Sequence, residues 1–307
     1  MMVLSDNVRG AALMAAAMAC FVTNDTLMKL TSEHLSLYQA VFLRGIVASL
    51  LMAFIAWRQR ALLVAIPRRD RPILLGRFIG EAGSTVAFLT ALYHLPLANL
   101  TAIMQALPLA VTLGAAVFLK EPVGWRRYTA IGVGFVGVLV IVRPGAEGFS
   151  VYSIWALVAV AFVVLRDLTT RRLSREVPSI FVAMITAVGI TVLGAVMLPT
   201  VEWRPVGTND IIRLCFAAVF VVGGYSCSVM TMRVGDISFS APFRYSVLVW
   251  AILLGIVVFD HIPSRWTLVG AAIVVGTGMY TFYRERVRQR QAAGRVIAAS
   301  SLPPASR

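Results

Sequence analysis

The chain has 307 residues, of which 59% are hydrophobic and only 14% charged; its mean hydropathy is +0.83 and its net charge +14. Soluble domains carry about 25% charged residues, so a water-soluble globular protein is excluded. Three cysteines, Cys20, Cys215 and Cys227, lack paired spacing, which argues against a disulfide framework or a cysteine metal site.

A helix needs about 20 mainly apolar residues to cross roughly 30 Å of hydrocarbon, where it satisfies its own backbone hydrogen bonds. Ten stretches qualify, at 8–30, 37–57, 73–93, 98–118, 126–142, 152–168, 179–199, 211–231, 237–258 and 266–283. The first resembles a secretory signal around Ala15–Ala17, but it runs on to Leu30 without a basic start and is expected to remain in the mature protein. Charge then orients the set. With the amino end in the cytoplasm, twenty of the 28 basic residues fall in cytoplasmic segments and five (Lys29, Arg143, Arg204, Arg213 and Arg265) in outside ones; Arg44, Arg77 and Arg244 lie within spans. Both termini are therefore expected inside, and the basicity reads as a topology signal with no nucleic-acid partner. The arginine-rich tail, 284–307, is expected to lie against anionic head groups and to be disordered.

Ten spans divide into five and five, and an odd number per half forces the second half to enter the membrane inverted. Leu95-Pro96-Leu97-Ala98 before span 4 aligns with Val234-Gly235-Asp236-Ile237 before span 9. The runs that follow end in similar turns, Leu119-Lys120-Glu121-Pro122 and Phe259-Asp260-His261-Ile262-Pro263. Trp125 and Trp266 then open the two closing spans, each with a glycine-rich stretch.

These residues, with Asn24-Asp25-Thr26-Leu27-Met28-Lys29, Phe42-Leu43-Arg44, Gly76-Arg77-Phe78, Gly124-Trp125-Arg126-Arg127, Arg143-Pro144-Gly145 and Ala241-Pro242-Phe243-Arg244-Tyr245-Ser246 leading to Trp250-Ala251, are similar to the drug/metabolite transporter superfamily. The resemblance is to its ten-helix EamA branch and covers residues 8–285. It implies an all-α integral membrane fold: two inverted five-helix repeats, 8–142 and 152–283, around a central cavity with alternating access. It also implies a bacterial plasma-membrane carrier of a small metabolite, such as an amino acid, riboflavin or S-adenosylmethionine, in either direction. One departure stands out. Family members usually carry Gly-Glu at the ends of spans 4 and 9, whereas this chain has Lys120-Glu121 and Asp260-His261.

Charges inside spans cost about 2.5–3.5 kcal/mol each on insertion scales, so each needs a reason. Asp25 and Lys29, four apart on span 1, share a face and are placed to pair. Arg77 and Glu81 repeat that spacing on span 3, where Glu81 suits a cationic substrate group or a proton, with a simple ion pair as the alternative. Gln105 and Arg244 fall on equivalent positions of the two repeats and are expected on opposite walls of the cavity. Arg244 can fork two hydrogen bonds to a carboxylate or phosphate, with bracing of span 9 as the alternative. Tyr245, Tyr225 and Trp155 are candidates for stacking and hydroxyl contacts, against a packing role. Arg44 reads as bracing, Arg166-Asp167 as a helix end at the cytoplasmic edge, and His34, His94 and His261 as solvated loop residues.

Pro108 and Pro242 predict kinks in spans 4 and 9. The glycines of spans 5 and 10 permit close approach either between the halves or between two copies of a homodimer. A membrane enzyme or a channel is the alternative, but no HExxH pair, Gly-x-Ser-x-Gly elbow or Walker loop is present. The reading is a secondary carrier that needs no cofactor or metal, is driven by gradients or is facilitative, and has Asp25 or Glu81 as candidates for proton coupling.

Overall fold

The computed structural model describes residues 6–121, 124–145, 149–174, 176–231, 234 and 237–300. Among them are ten helices long and apolar enough to cross a membrane: Asp6–Thr31, Leu37–Arg58, Arg68–His94, Leu97–Phe118, Trp125–Val142, Tyr152–Arg172, Ser179–Thr200, Thr208–Thr231, Ala241–Phe259 and Arg265–Arg284, numbered spans 1 to 10. No strand occurs among the described residues. Two boundaries move from their expected places. Span 6 runs to Arg172, so Arg166 and Asp167 lie two turns inside it rather than at its end. The last helix continues from Arg265 to Ser300 where a disordered tail was expected; the Arg, Gln and Ala that follow Tyr283 are good helix formers.

The two prolines break their spans at matching places. Span 4 consists of half-helices Leu97–Met104 and Leu107–Phe118. Span 9 is reached through Ile237–Ser240 and a 3-10 turn, Ala241–Tyr245, before Ser246–Phe259. Pro108 and Pro242 each sit in the first turn of the piece they open, where a missing N–H leaves no intrahelical bond unmade. Both spans also end alike. Lys120 and Asp260 adopt left-handed backbone angles, φ 55° and 51°, and the following residues donate N–H bonds back across the last turn, Glu121 to Ala115 O at 3.3 Å and His261 to Gly255 O at 2.9 Å. Such a left-handed cap is the position at which glycine is the least strained residue. Lys120→Gly is expected to stabilise the protein by about 0.5–1 kcal/mol, and Asp260→Gly by less because Asp tolerates that region better; the thermal unfolding midpoint of the purified protein checks both.

Packing follows the inverted arrangement. Span 3 runs along span 6 and span 1 along span 8. Spans 2 and 7, 4 and 9, and 5 and 10 pair with each other, and span 1 meets span 9 as span 6 meets span 4. Exchanging the first five spans with the last five maps this pattern onto itself. Spans 5 and 10 touch through Gly137 and Gly270, where a Cβ on Gly270 would lie 2.5 Å from the Gly137 carbonyl, so those glycines serve contact between the halves. One contact breaks the symmetry: span 2 lies broadly against span 8, whereas span 7 barely meets span 3. A cleft of about 280 Å³ bordered by Leu74, Phe78 and Ile185 occupies that gap.

Candidate functional site

The helix order gives the molecule two unlike faces. One, the face of the termini, carries the start of span 1, the 59–67 connection, the junction of spans 6 and 7 and the far end of the last helix; the opposite one carries 32–36, 95–96, the junction of spans 5 and 6, 201–207 and 260–264. The half under the opposite face is filled by a continuous apolar core in which Met28, Leu35, Leu92, Leu97 and Leu100 are at most 2% exposed. Close packing of this kind leaves no path for a solute. Span 1 clamps it. Lys29 Nζ donates to the carbonyls of Leu92 and Leu95, both at 2.7 Å, capping the end of span 3, and lies 5.8 Å from the Phe259 ring centroid. The expected Lys29–Asp25 pairing is therefore replaced, because the last carbonyls of span 3 have no intrahelical donor and a cation is the stronger partner for them. At the rim, Asp210 accepts from Arg213 at 3.3 Å and faces His34 Nδ1 at 3.5 Å, while His94 stacks on Tyr152 with centroids 3.7 Å apart. Neither histidine is a free loop residue.

The half that bears the termini is open. A cavity of about 500 Å³ enters it between spans 4, 5, 6, 9 and 10. Its wall combines Arg244, Arg127 and Arg171 with Asp167 and Glu121, over apolar surface from Leu107, Val111 and Phe282. Arg171 and Glu121 pair at 3.4 Å. Arg244 is exposed. Guanidinium and carboxylate groups set against an apolar floor suit a small organic molecule bearing both signs of charge.

Behind that wall, spans 3 and 6 share a charge network. Glu81 lies 3.9 Å from Arg77 and 3.6 Å from Arg166, and Arg166 Nε donates to Asp167 Oδ1 at 2.9 Å. Arg77 donates to Thr170 Oγ1 at 2.8 Å, so the network reaches the cavity through Asp167 and Thr170. It forms where helices approach closely: a Cβ on Gly80 would lie 2.7 Å from the Arg166 nitrogen. A second polar cluster lies nearer the closed face. Arg44 donates to Asn24 Oδ1 at 3.0 Å and Asn24 to Asp25 Oδ1 at 2.9 Å; the Arg44 Nε is buried with no hydrogen-bond partner among the described residues.

Several candidates take other places than expected. Gln105 is 6% exposed and donates to Thr101 O at 3.0 Å, so it does not face Arg244 across the cavity. Inverted repeats place equivalent residues at opposite depths, and a cavity open to one side exposes only one of each pair. Tyr245 is buried over Gly278 and edge-on to Phe282, and its hydroxyl has no hydrogen-bond partner among the described residues. Tyr225 donates to Ser179 O at 3.3 Å, tying span 8 to span 7. Trp155 is 41% exposed and is not part of the cavity wall. The cavity residues that pattern reading missed, Asp167, Arg171, Arg127 and Glu121, sit at span ends, where charges are usually solvated; a span 6 carried on through Leu168 to Arg172 is the one signal for Asp167.

The EamA-like transporter family model matches residues 8–143 and again 151–299. The chain belongs to the EamA-like transporter family. EamA-like relatives include an S-adenosylmethionine uptake transporter of Rickettsia conorii, 24% identical over 274 residues covering 86% of this chain and 88% of that one. A pseudopaline exporter of Pseudomonas aeruginosa is 28% identical over 275 residues, 87% and 93% of the two chains. A riboflavin transporter of Vibrio cholerae is 29% identical over 204 residues, 66% and 68%. A solved crystal structure matches the EamA-like fold with a TM-score of 0.61 at 19% identity, over 91% of this chain and 98% of the other. The protein is a multi-pass bacterial membrane protein of a transporter family whose named relatives move small molecules.

Proposed function

We propose that the protein is a secondary carrier of a small organic metabolite that bears an anionic group beside a cationic or aromatic part, caught with its binding cavity open toward the face of the termini. One observation carries this reading: Arg244 stands exposed in a one-sided charged cavity while its counterpart in the other repeat, Gln105, is buried under the closed face. In the opposite state the two exchange exposure, which is alternating access. The basic residues concentrate on the terminal face, so the open side is the cytoplasm.

Arg244 takes the anionic part of the substrate and Asp167 the cationic part. Engagement of Asp167 competes for Arg166 and so bears on Glu81, which makes Glu81 the first candidate for coupling to a proton; Asp25, held by Asn24 beside Arg44, is the second. The relatives include an uptake transporter and an exporter, and vesicle assays in both directions decide which this protein is.

Protein reconstituted into vesicles and offered labelled S-adenosylmethionine, riboflavin and pseudopaline tests the reading. Saturable uptake or exchange of at least one is expected, and none with any of them overturns it. If an imposed pH gradient leaves the rate unchanged, or Glu81→Gln and Asp25→Asn both keep a gradient response, proton coupling through these carboxyls is wrong. In a cysteine-free background, Arg244→Cys should react with a water-soluble maleimide faster than Gln105→Cys.

A further inference from the structure

The second half of span 4, Leu107–Phe118, is hollow on both sides. It turns Leu107, Val111 and Thr112 to the charged cavity. Its other face, with Ala110, Leu113 and Val117, borders a larger groove of about 1050 Å³ closed by spans 5 and 6. The half-helix touches span 6 closely at Gly114, where a Cβ would lie 2.7 Å from Val164 Cγ1. A helix so thinly backed needs an occupant behind it to hold one position.

The lining of the groove says what that occupant is. Along span 6 it extends from Leu157 to Arg172, about 22 Å at 1.5 Å per residue, against roughly 15 Å for one leaflet of hydrocarbon. Its rim residues Val117, Leu139 and Leu165 are exposed on the flank of the bundle, at membrane depth. Among the described residues that line it, Thr169 and Arg172 are the polar side chains, both at the end toward the termini, and none is acidic. Arg172 is exposed, and among the described residues no hydrogen bond or ion pair engages it. An apolar trough a leaflet deep that ends at an unpaired guanidinium complements a lipid with an anionic head group.

We propose that this groove is a phospholipid site: an acyl chain lies between the half-helix Leu107–Phe118 and spans 5 and 6, Arg172 holds the head-group phosphate of an anionic lipid, and occupancy steadies the wall of the charged cavity. The site stands whatever the cavity carries.

The test is lipid retention. Purified protein is incubated with vesicles of phosphatidylglycerol or of phosphatidylcholine, and the lipid kept on the intact protein is read by native mass spectrometry, with the thermal unfolding midpoint measured in parallel. Wild type is expected to keep one phosphatidylglycerol and to gain thermal stability from it, and to keep phosphatidylcholine several-fold less. Arg172→Gln should lower phosphatidylglycerol retention about tenfold, and Ala161→Trp, which fills the groove at an exposed lining position, should abolish both retention and stabilisation. Equal retention of the two lipids by wild type overturns the head-group assignment, as does unchanged retention in Arg172→Gln. Unchanged retention in a monodisperse Ala161→Trp protein overturns the groove. Where Ala161→Trp fails to give monodisperse protein, Val117→Phe fills the same groove from the half-helix and is judged by the same criterion.

Discussion

Arg244→Ala is expected to cut the apparent affinity for an acidic substrate by about 10- to 100-fold while leaving the fold intact. A charge-assisted hydrogen bond contributes about 1.5–3 kcal/mol, and each 1.4 kcal/mol is a factor of ten. The residue is exposed in the cavity wall, so its removal costs no packing. Arg244→Lys keeps the charge and loses the fork, and should fall between wild type and alanine. Concentration-dependent uptake in vesicles reads the effect as a raised KM. Were Arg244→Ala to transport an acidic substrate with unchanged KM, the anionic group would bind elsewhere; Arg127 and Arg171 are the other cations of the wall.

Glu81→Ala is expected to destabilise the protein by about 2–3 kcal/mol. The side chains of Arg77, Glu81 and Arg166 are 15%, 22% and 27% exposed, and removing the carboxylate leaves two guanidiniums in one helix interface. Deleting one member of a fully buried ion pair costs about 3–5 kcal/mol; partial access to water places this case below that range. The sign of the coupling is the sharper test. Combining Glu81→Ala with Arg166→Met removes both charges of the 3.6 Å pair together, so the double variant should be less destabilised than the sum of the two single variants by at least about 1 kcal/mol. Additive effects within about 0.3 kcal/mol in denaturant unfolding of the purified protein would mean that water screens the pair, as for ordinary surface bridges.

Much of the architecture was legible without coordinates because lipid leaves few options. Apolar stretches of bilayer length must be helices, and Pro108 and Pro242 break spans 4 and 9 where their missing donors predict. The inverted repeat was readable from paired turns, and the left-handed backbone at Lys120 and Asp260 supplies the physical reason those turns match. The site was harder to see. A helical spacing of four puts Asp25 and Lys29 on one face, yet Lys29 is drawn to the uncapped carbonyls of Leu92 and Leu95, which belong to a helix 63 and 66 residues away. Gln39 left no pattern at all. It is fully buried and bridges the 201–207 connection through both its amide groups, donating to Arg204 O at 2.7 Å and accepting from Arg204 N at 3.2 Å.

Sequence alone determined that this chain is a ten-span membrane protein of two opposed halves, since hydropathy, proline positions and charge bias are local or additive properties that do not depend on which helices touch. Tertiary structure decided which face is open, that Arg244 is exposed while Gln105 is buried, and that Arg166 and Asp167 join Glu81 within the membrane-spanning part. These are relations between helices. A pseudo-symmetric sequence does not say on which side a cavity opens, and only the packing of one half against the other selects the side on which the polar groups meet water.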